Sequence, residues 1–228
     1  MTPEITLVAL DMAGTTVSDG GVVMRAFRRA LTDVGGVGGD SPVGDPEEFV
    51  RRTMGQSKIA VFTEIFGGDV GRAEKANAAF EVAYDNAVDN GEVVPLPGAA
   101  ETMAGLRAAG IKVCLTTGFA PATRDRILDS LGWRGSIDLA LSPADAGRGR
   151  PWPDMILTAV IRLGIEDVRQ VAVAGDTASD LLSGWRAGAG MVAGVLTGAH
   201  GRAEFGAVPH THILESVADL SGLVLPQL

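Results

Sequence analysis

Val171-Ala172-Val173-Ala174-Gly175-Asp176-Thr177-Ala178-Ser179-Asp180 sets a short apolar run directly before two acids four positions apart. The run is too short for a buried helix and its alternating valines favour a buried strand, Val171 to Ala174. Asp176 then stands at the strand tip. Asp180 falls in the first turn of a helix over Ser179 to Ala187, where a carboxylate meets the positive end of the helix dipole. An Asp–Thr helix cap would account for this stretch locally. Its meaning comes from three similar runs, Ile5 to Leu10, Ile111 to Leu115 and Ile137 to Leu141. Helical patterns lie between them at Gly98 to Ala109, Ala122 to Leu131 and Pro153 to Leu163. Strands alternating with helices of this length imply βαβ units and a parallel sheet, which binds ligands at the carboxyl ends of its strands.

Each strand end carries chemistry. The first runs into Asp11-Met12-Ala13-Gly14-Thr15-Thr16. A carboxylate at a strand tip beside a glycine turn can attack phosphorus and can also bind a hard cation. The second ends in Thr116-Thr117-Gly118, a hydroxyl and backbone N–H at a helix entrance, suited to a phosphate oxygen or to a simple N-cap. Arg148-Gly149-Arg150-Pro151-Trp152-Pro153 places a cation before a proline-started helix, where it could neutralise a transferring phosphoryl group or be a basic surface loop. Asp176 would complete a Mg²⁺ site with Asp11, and Asp180 could hold a metal-bound water or orient Arg150. Any one of these has a bland explanation; four in this order, at four strand ends of one sheet, argue together for phosphoryl transfer.

Residues 21–92 differ. Helical patterns near Val22 to Val34, Glu47 to Phe66 and Arg72 to Val88 are separated by glycine-rich breaks at Gly35 to Asp40 and Gly67-Gly68. The expectation is a helical insertion after the first strand, covering the carboxyl edge of the sheet, with hinges near Ser18 to Gly21 and Glu92 to Gly98. The division would be residues 1–20 and 93–228 as the α/β core and 21–92 as the cap. His200 to His212 reads as a long loop without metal-site spacing.

Composition sets outer limits. The 228 residues suit one α/β core plus an accessory unit. A net charge of −9 disfavours nucleic acid and anionic membranes as partners. The single cysteine, Cys114, excludes an intrachain disulfide and sits in an apolar run that expects a buried thiol. The N-terminal stretch lacks signal-peptide character and no apolar stretch reaches membrane-span length, so a cytoplasmic protein is expected. Of 19 basic residues only Lys58, Lys75 and Lys112 are lysine, which marks lysine as chosen where a deprotonatable amine is required.

The ordered set Asp11 to Thr15, Thr117, Arg150 and Gly175-Asp176 to Asp180 resembles the four motifs of the haloacid dehalogenase superfamily. The resemblance implies a Rossmann-like core with a C1-type helical cap, Asp11 as nucleophile, and Mg²⁺ held by Asp11, the Ala13 carbonyl, Asp176 and Asp180. Most phosphatases of the superfamily carry an acid at the position of Ala13. Ala13, Arg150 as the third-motif cation, and Met54-Gly55-Gln56-Ser57-Lys58 resemble instead the phosphonoacetaldehyde hydrolase branch. That likeness implies a Schiff base at Lys58, substrate contacts from Gly14, Thr15, Met54 and Gly118, a small phosphonate or phosphate substrate, and a homodimer formed through the caps. Val61 and Phe119 depart from the branch, which has His and Tyr there. An iminium at Lys58 would draw electrons from a C–P bond and make the missing acid dispensable. The amine must first lose its proton, which burial or a neighbouring cation favours. The competing readings are a monoester phosphatase, a non-catalytic binding protein on the same fold, and a dehalogenase, which does not require both Asp176 and Asp180.

Overall fold

The computed structural model describes residues 4–18, 20–37 and 41–225. Thr2-Pro3, residue 19 of the expected first hinge and residues 38–40 of the expected glycine-rich break lie outside the described residues. A six-stranded sheet runs in the order β5-β4-β1-β6-β7-β8. Its strands are β1 (Leu7–Asp11), β4 (Lys112–Thr116), β5 (Leu139–Leu141), β6 (Val171–Gly175), β7 (Met191–Val195) and β8 (His212–Leu214). All five pairings are parallel. Every residue of β1 is buried, as a central strand covered on both faces requires.

Alternate residues of the strands feed opposite layers. Val8, Leu10, Val113, Leu115, Ala172 and Ala174 join one core, into which α5 (Ala99–Ala108) sends Met103 and Leu106 and α6 (Pro121–Ser130) sends Ile127. Leu7, Ala9, Cys114, Val171 and Val173 join the other, with Met155, Ile156 and Ala159 of α8 (Asp154–Leu163). The period of two in a strand is what sorts them. The helix α9 (Ala178–Ala187) sits so close to the sheet that a Cβ on Gly184 would meet the Val173 side chain at 2.9 Å. The short helices α7 (Pro143–Ala146), α10 (Arg202–Gly206) and α11 (Ser221–Val224) complete the periphery.

Between β1 and α5 lie α1 (Val22–Asp33), α2 (Pro46–Arg52), α3 (Lys58–Ile65) and α4 (Val70–Asp89). Both crossings into this insertion are made in a two-stranded antiparallel ribbon, β2 (Val17–Ser18) with β3 (Val94–Pro95). A hydrogen bond from Leu96 N to Thr16 O at 2.9 Å continues it.

Two expectations need correction. The helix expected over Glu47 to Phe66 is two helices, broken at residues 53–57. Gly55 has φ +82° there, and its carbonyl is drawn toward Arg150. The loop expected from His200 to His212 contains α10 and delivers β8 at His212. β7 and β8 carry no clear strand pattern in the sequence: Met191-Val192-Ala193-Gly194-Val195 contains a glycine, and β8 is a three-residue edge.

Candidate active site

Asp11, Thr116, Asp176 and the loop before α8 converge at the carboxyl end of the sheet, beneath the break between α2 and α3. Arg150 is the hub. Its side chain is 2% exposed. Nη1 donates to Asp11 Oδ1 at 2.6 Å and to Gly55 O at 3.3 Å, and Nη2 donates to Thr116 Oγ1 at 2.7 Å. Nε pairs with Asp180 Oδ1 at 2.8 Å. The planar fork of a guanidinium is what allows one side chain to address four partners.

The three acids have different surroundings. Burial pushes the Asp11 carboxyl up to about 6, against the lowering pull of Arg150 and with a further push from Asp180. Asp176 is raised well above the ordinary range, first by burial and then by repulsion from Asp11 and Asp180. Its Oδ2 accepts from Ala199 N at 2.7 Å and its Oδ1 from Thr15 Oγ1 at 3.5 Å. Asp180 Oδ2 closes a capping box with Thr177, accepting from Thr177 N at 3.1 Å and Thr177 Oγ1 at 2.5 Å, while Oδ1 holds Arg150. Of the two roles the sequence left open for Asp180, this geometry matches orientation of Arg150.

Among the described residues no group of three or more His, Cys, Asp or Glu side chains is disposed to hold a metal ion. A hard cation has another donor set here. Asp11, Ala13 and Asp176 line one cavity, and two buried carboxylates, of which Asp176 is raised in part by the charge of Asp11, are a site whose charge a divalent cation would offset. The all-oxygen donors fit Mg²⁺.

That cavity has a volume of about 350 Å³. Gly14, Met54, Lys58, Thr117, Gly118 and Arg150 also line it, so the sequence-predicted site residues that border open space are brought together. Thr15 and Asp180 stand behind them, buried. Gly14 has φ +92°, a left-handed conformation that any side chain would strain. Lys58 opens α3, is 8% exposed, and its Nζ lies 5.2 Å from the centroid of the Phe119 ring and 5.8 Å from that of Phe27. The Thr117 hydroxyl accepts from Phe119 N at 3.2 Å, closing its own turn.

Three participants are not marked by the sequence reading. Thr116, rather than Thr117, takes the Arg150 bond. Thr197 donates from Oγ1 to Gly14 O at 2.7 Å. His200, read as part of a loop, donates from its backbone to Asp176 O at 3.1 Å and accepts at Nδ1 from Ala178 N at 3.0 Å. The doubled Thr116-Thr117 was the only available signal; the 197–200 segment reaches the site because β7 sits beside β6.

A family model of haloacid dehalogenase-like hydrolases matches residues 5–188. The chain belongs to the haloacid dehalogenase-like hydrolases. Among curated relatives, a phosphonoacetaldehyde hydrolase of Pseudomonas putida is 36% identical over 104 residues, covering 45% of this chain and 38% of that protein. A phosphonoacetaldehyde hydrolase of Pseudomonas fluorescens is 28% identical over 206 residues, covering 86% of this chain and 74% of its own. A phosphonoacetaldehyde hydrolase-like protein from Oleispira antarctica superposes with a TM-score of 0.80 at 22% identity, over 98% of this chain and 92% of its own. A protein described as a predicted phosphatase from Clostridium acetobutylicum gives 0.81 at 17% identity, over 98% and 99%. At such identities the structural likeness speaks for the haloacid dehalogenase-like fold alone.

Proposed function

We propose that this hydrolase cleaves the C–P bond of phosphonoacetaldehyde or a close 2-oxoethylphosphonate relative, with residues 21–92 as a cap over a core of residues 1–20 and 93–228. The observation that carries the reading is that Lys58, from the insertion, and Asp11, from β1, line one cavity with no acid at position 13. The unprotonated Lys58 amine adds to the substrate aldehyde and water leaves, giving an iminium. Asp11 attacks phosphorus, and the C–P electron pair moves into the iminium to give an enamine. The enamine takes a proton at carbon and hydrolyses to acetaldehyde and Lys58, and water cleaves the aspartyl-phosphate. Arg150 orients Asp11 and neutralises phosphoryl charge; Asp180 holds Arg150 in place. Mg²⁺, held by Asp11, Asp176 and the Ala13 carbonyl, would supply electrostatic stabilisation of the transferring group.

The two catalogued relatives act on the proposed substrate by name, which supports the reading. Phe119 and Val61 favour a second one, a small-monoester phosphatase in which Lys58 only contacts substrate. Both positions are buried and apolar, so they offer no proton relay for imine formation. Ala13 counts against it, because an alkoxide leaving group gains about 10²–10⁴ in rate from a proton donor.

The deciding experiment is phosphate release from phosphonoacetaldehyde with Mg²⁺, run beside simple monoesters, with borohydride trapping and mass spectrometry. Release with an adduct on Lys58 is expected. Monoester turnover without an adduct would overturn C–P cleavage in favour of the phosphatase. A cytoplasmic homodimer is part of the same proposal. No helix among the described residues is long and apolar enough to cross a membrane, and Val70 and Val82 leave apolar surface exposed on α4. Sedimentation at micromolar concentration tests the dimer.

A further inference from the structure

Gly118 and Gly149 present a puzzle that their own backbones do not answer. Neither has the positive φ that favours glycine, so each local conformation is open to any residue. What a side chain would meet is the insertion, joined at Gly149 by Pro143 of α7. A Cβ on Gly118 would overlap the carbonyl oxygen of Gln56 and stand 3.1 Å from that of Gly55. A Cβ on Gly149 would meet Ser57 Cβ at 3.0 Å, Ser57 N at 3.4 Å and Pro143 Cγ at 3.2 Å. From the other side, a Cβ on Gly55 would meet Thr177 Oγ1 at 2.5 Å. Three loops of the sheet's carboxyl edge thus touch one short backbone segment. Two hydrogen bonds fasten it, Lys58 N to Gly118 O at 3.4 Å and Arg150 Nη1 to Gly55 O at 3.3 Å.

We infer that Gly118 and Gly149 are positioning residues that form a seat for the backbone of residues 55–57, and that this seat sets the reach of Lys58 into the cavity. The inference rests on the proposed role of Lys58. Residue 58 follows the seated segment directly and begins α3, so a shift of the segment is passed to the amine through rigid helix. A methyl group on Gly118 faces backbone rather than a flexible side-chain end, and the segment must lift to admit it. Misplacement on the order of 1 Å in a reacting geometry costs about 10²-fold in rate. The bond from Arg150 to Gly55 also links the seated segment to the guanidinium that orients Asp11, so seating and nucleophile alignment share one side chain.

The test compares the full chain, loaded with Mg²⁺, with its Gly118→Ala and Gly149→Ala variants. One readout is amide hydrogen exchange over residues 54–62. The other is the ratio of borohydride-trapped Lys58 adduct, formed with phosphonoacetaldehyde, to acetyl phosphate hydrolysis, which needs Asp11 but no imine. Gly118→Ala is expected to speed exchange and to lower the ratio at least about tenfold. Gly149→Ala is expected to act in the same direction, and adding Ser57→Gly, which removes the Cβ it would meet, is expected to restore the ratio. The rescue separates seating from a fold defect. An unchanged ratio in both variants overturns the inference. A wild-type protein that forms no adduct overturns the imine role of Lys58 itself, and unchanged exchange in Gly118→Ala then overturns the seat as well.

Discussion

Asp11 shows how a single residue is made costly and useful together. Its carboxyl is pushed up from 3.8 to about 6, so between those pH values the folded chain holds a proton that the unfolded chain has lost. Stability therefore falls as pH rises through this window, by about 3 kcal/mol for a shift of this size. Asp176 is displaced in the same direction and adds to the effect. In metal-free protein, Asp11→Asn should melt higher than wild type at pH 7, and the gap should shrink toward pH 4; calorimetry with a chelator measures it. Asp180 is held by Arg150 on one oxygen and by Thr177 on the other. Asp180→Ala leaves the buried Arg150 without its Nε partner and removes the carboxylate that accepts from Thr177 N and Oγ1. Denaturant unfolding should show a loss of about 3–5 kcal/mol, and turnover should fall about 10²-fold as Arg150 loses its orientation. Cys114 is a buried thiol pushed up to about 12, so it should resist alkylation by iodoacetamide in the folded protein and react only after unfolding.

Among the elements, the break between α2 and α3 is the instructive one. Glu47 to Phe66 carries a pattern that reads as one helix, and locally it is nearly satisfied: Thr53 bonds back to Phe49 O at 2.8 Å, as a helical threonine does. The helix gives way where Arg150 donates to Gly55 O, Gly118 O accepts from Lys58 N, and Thr177 packs closely against Gly55. A similar long-range reason lies behind β7. Gly194 is a poor strand residue by propensity, yet a Cβ there would meet the Phe205 ring of α10 at 2.7 Å. Gly194→Ala should cost about 1–3 kcal/mol by overpacking, seen as a lowered urea midpoint with an unchanged slope. The ion pairs joining α4 to α6, Arg126 with Asp85 and Asp89, are half exposed. Pairs of that kind contribute about 0–1 kcal/mol, so they align the insertion more than they hold it.

At the scale of the whole molecule, the insertion is not an independently cored unit. Phe27, Phe62, Phe80 and Tyr84 belong to the same continuous cluster as Val8, Leu10, Leu115 and Phe119. Phe119, from the end of β4, lies 4.5 Å from Tyr84 and 6.2 Å from Phe80, ring centroid to centroid. A shared core predicts one cooperative unfolding transition for insertion and sheet together. Phe80→Ala should lower it by about 3–5 kcal/mol without splitting it into two, a result that far-ultraviolet and aromatic circular dichroism melts would show by coinciding. Two separated transitions would show instead that the insertion opens without the core. If Asp11 and Asp176 hold Mg²⁺ as proposed, Mg²⁺ should raise the same transition as its concentration grows, because only the folded chain brings the two carboxylates together.

The parallel sheet, its strands β1, β4, β5 and β6, the helical insertion and the acids Asp11, Asp176 and Asp180 were all legible in the sequence. They are written in local periodicity and in acids placed just beyond apolar runs, and such signals survive in one dimension. The break at Gly55, the strands β7 and β8, the place of Thr116, Thr197 and His200, and the choice between the two roles open to Asp180 were not. Each depends on a partner far along the chain: cap, holder of a metal-bound water and partner of Arg150 are all open to Asp180 until Arg150, thirty positions earlier, is brought to 2.8 Å from it. Chain pattern decides which elements form and which chemical groups they offer. Only tertiary contact decides which of those groups face one another, because burial, competition for the same hydrogen bond and the absence of a side chain at Gly118 act between segments that the sequence holds apart.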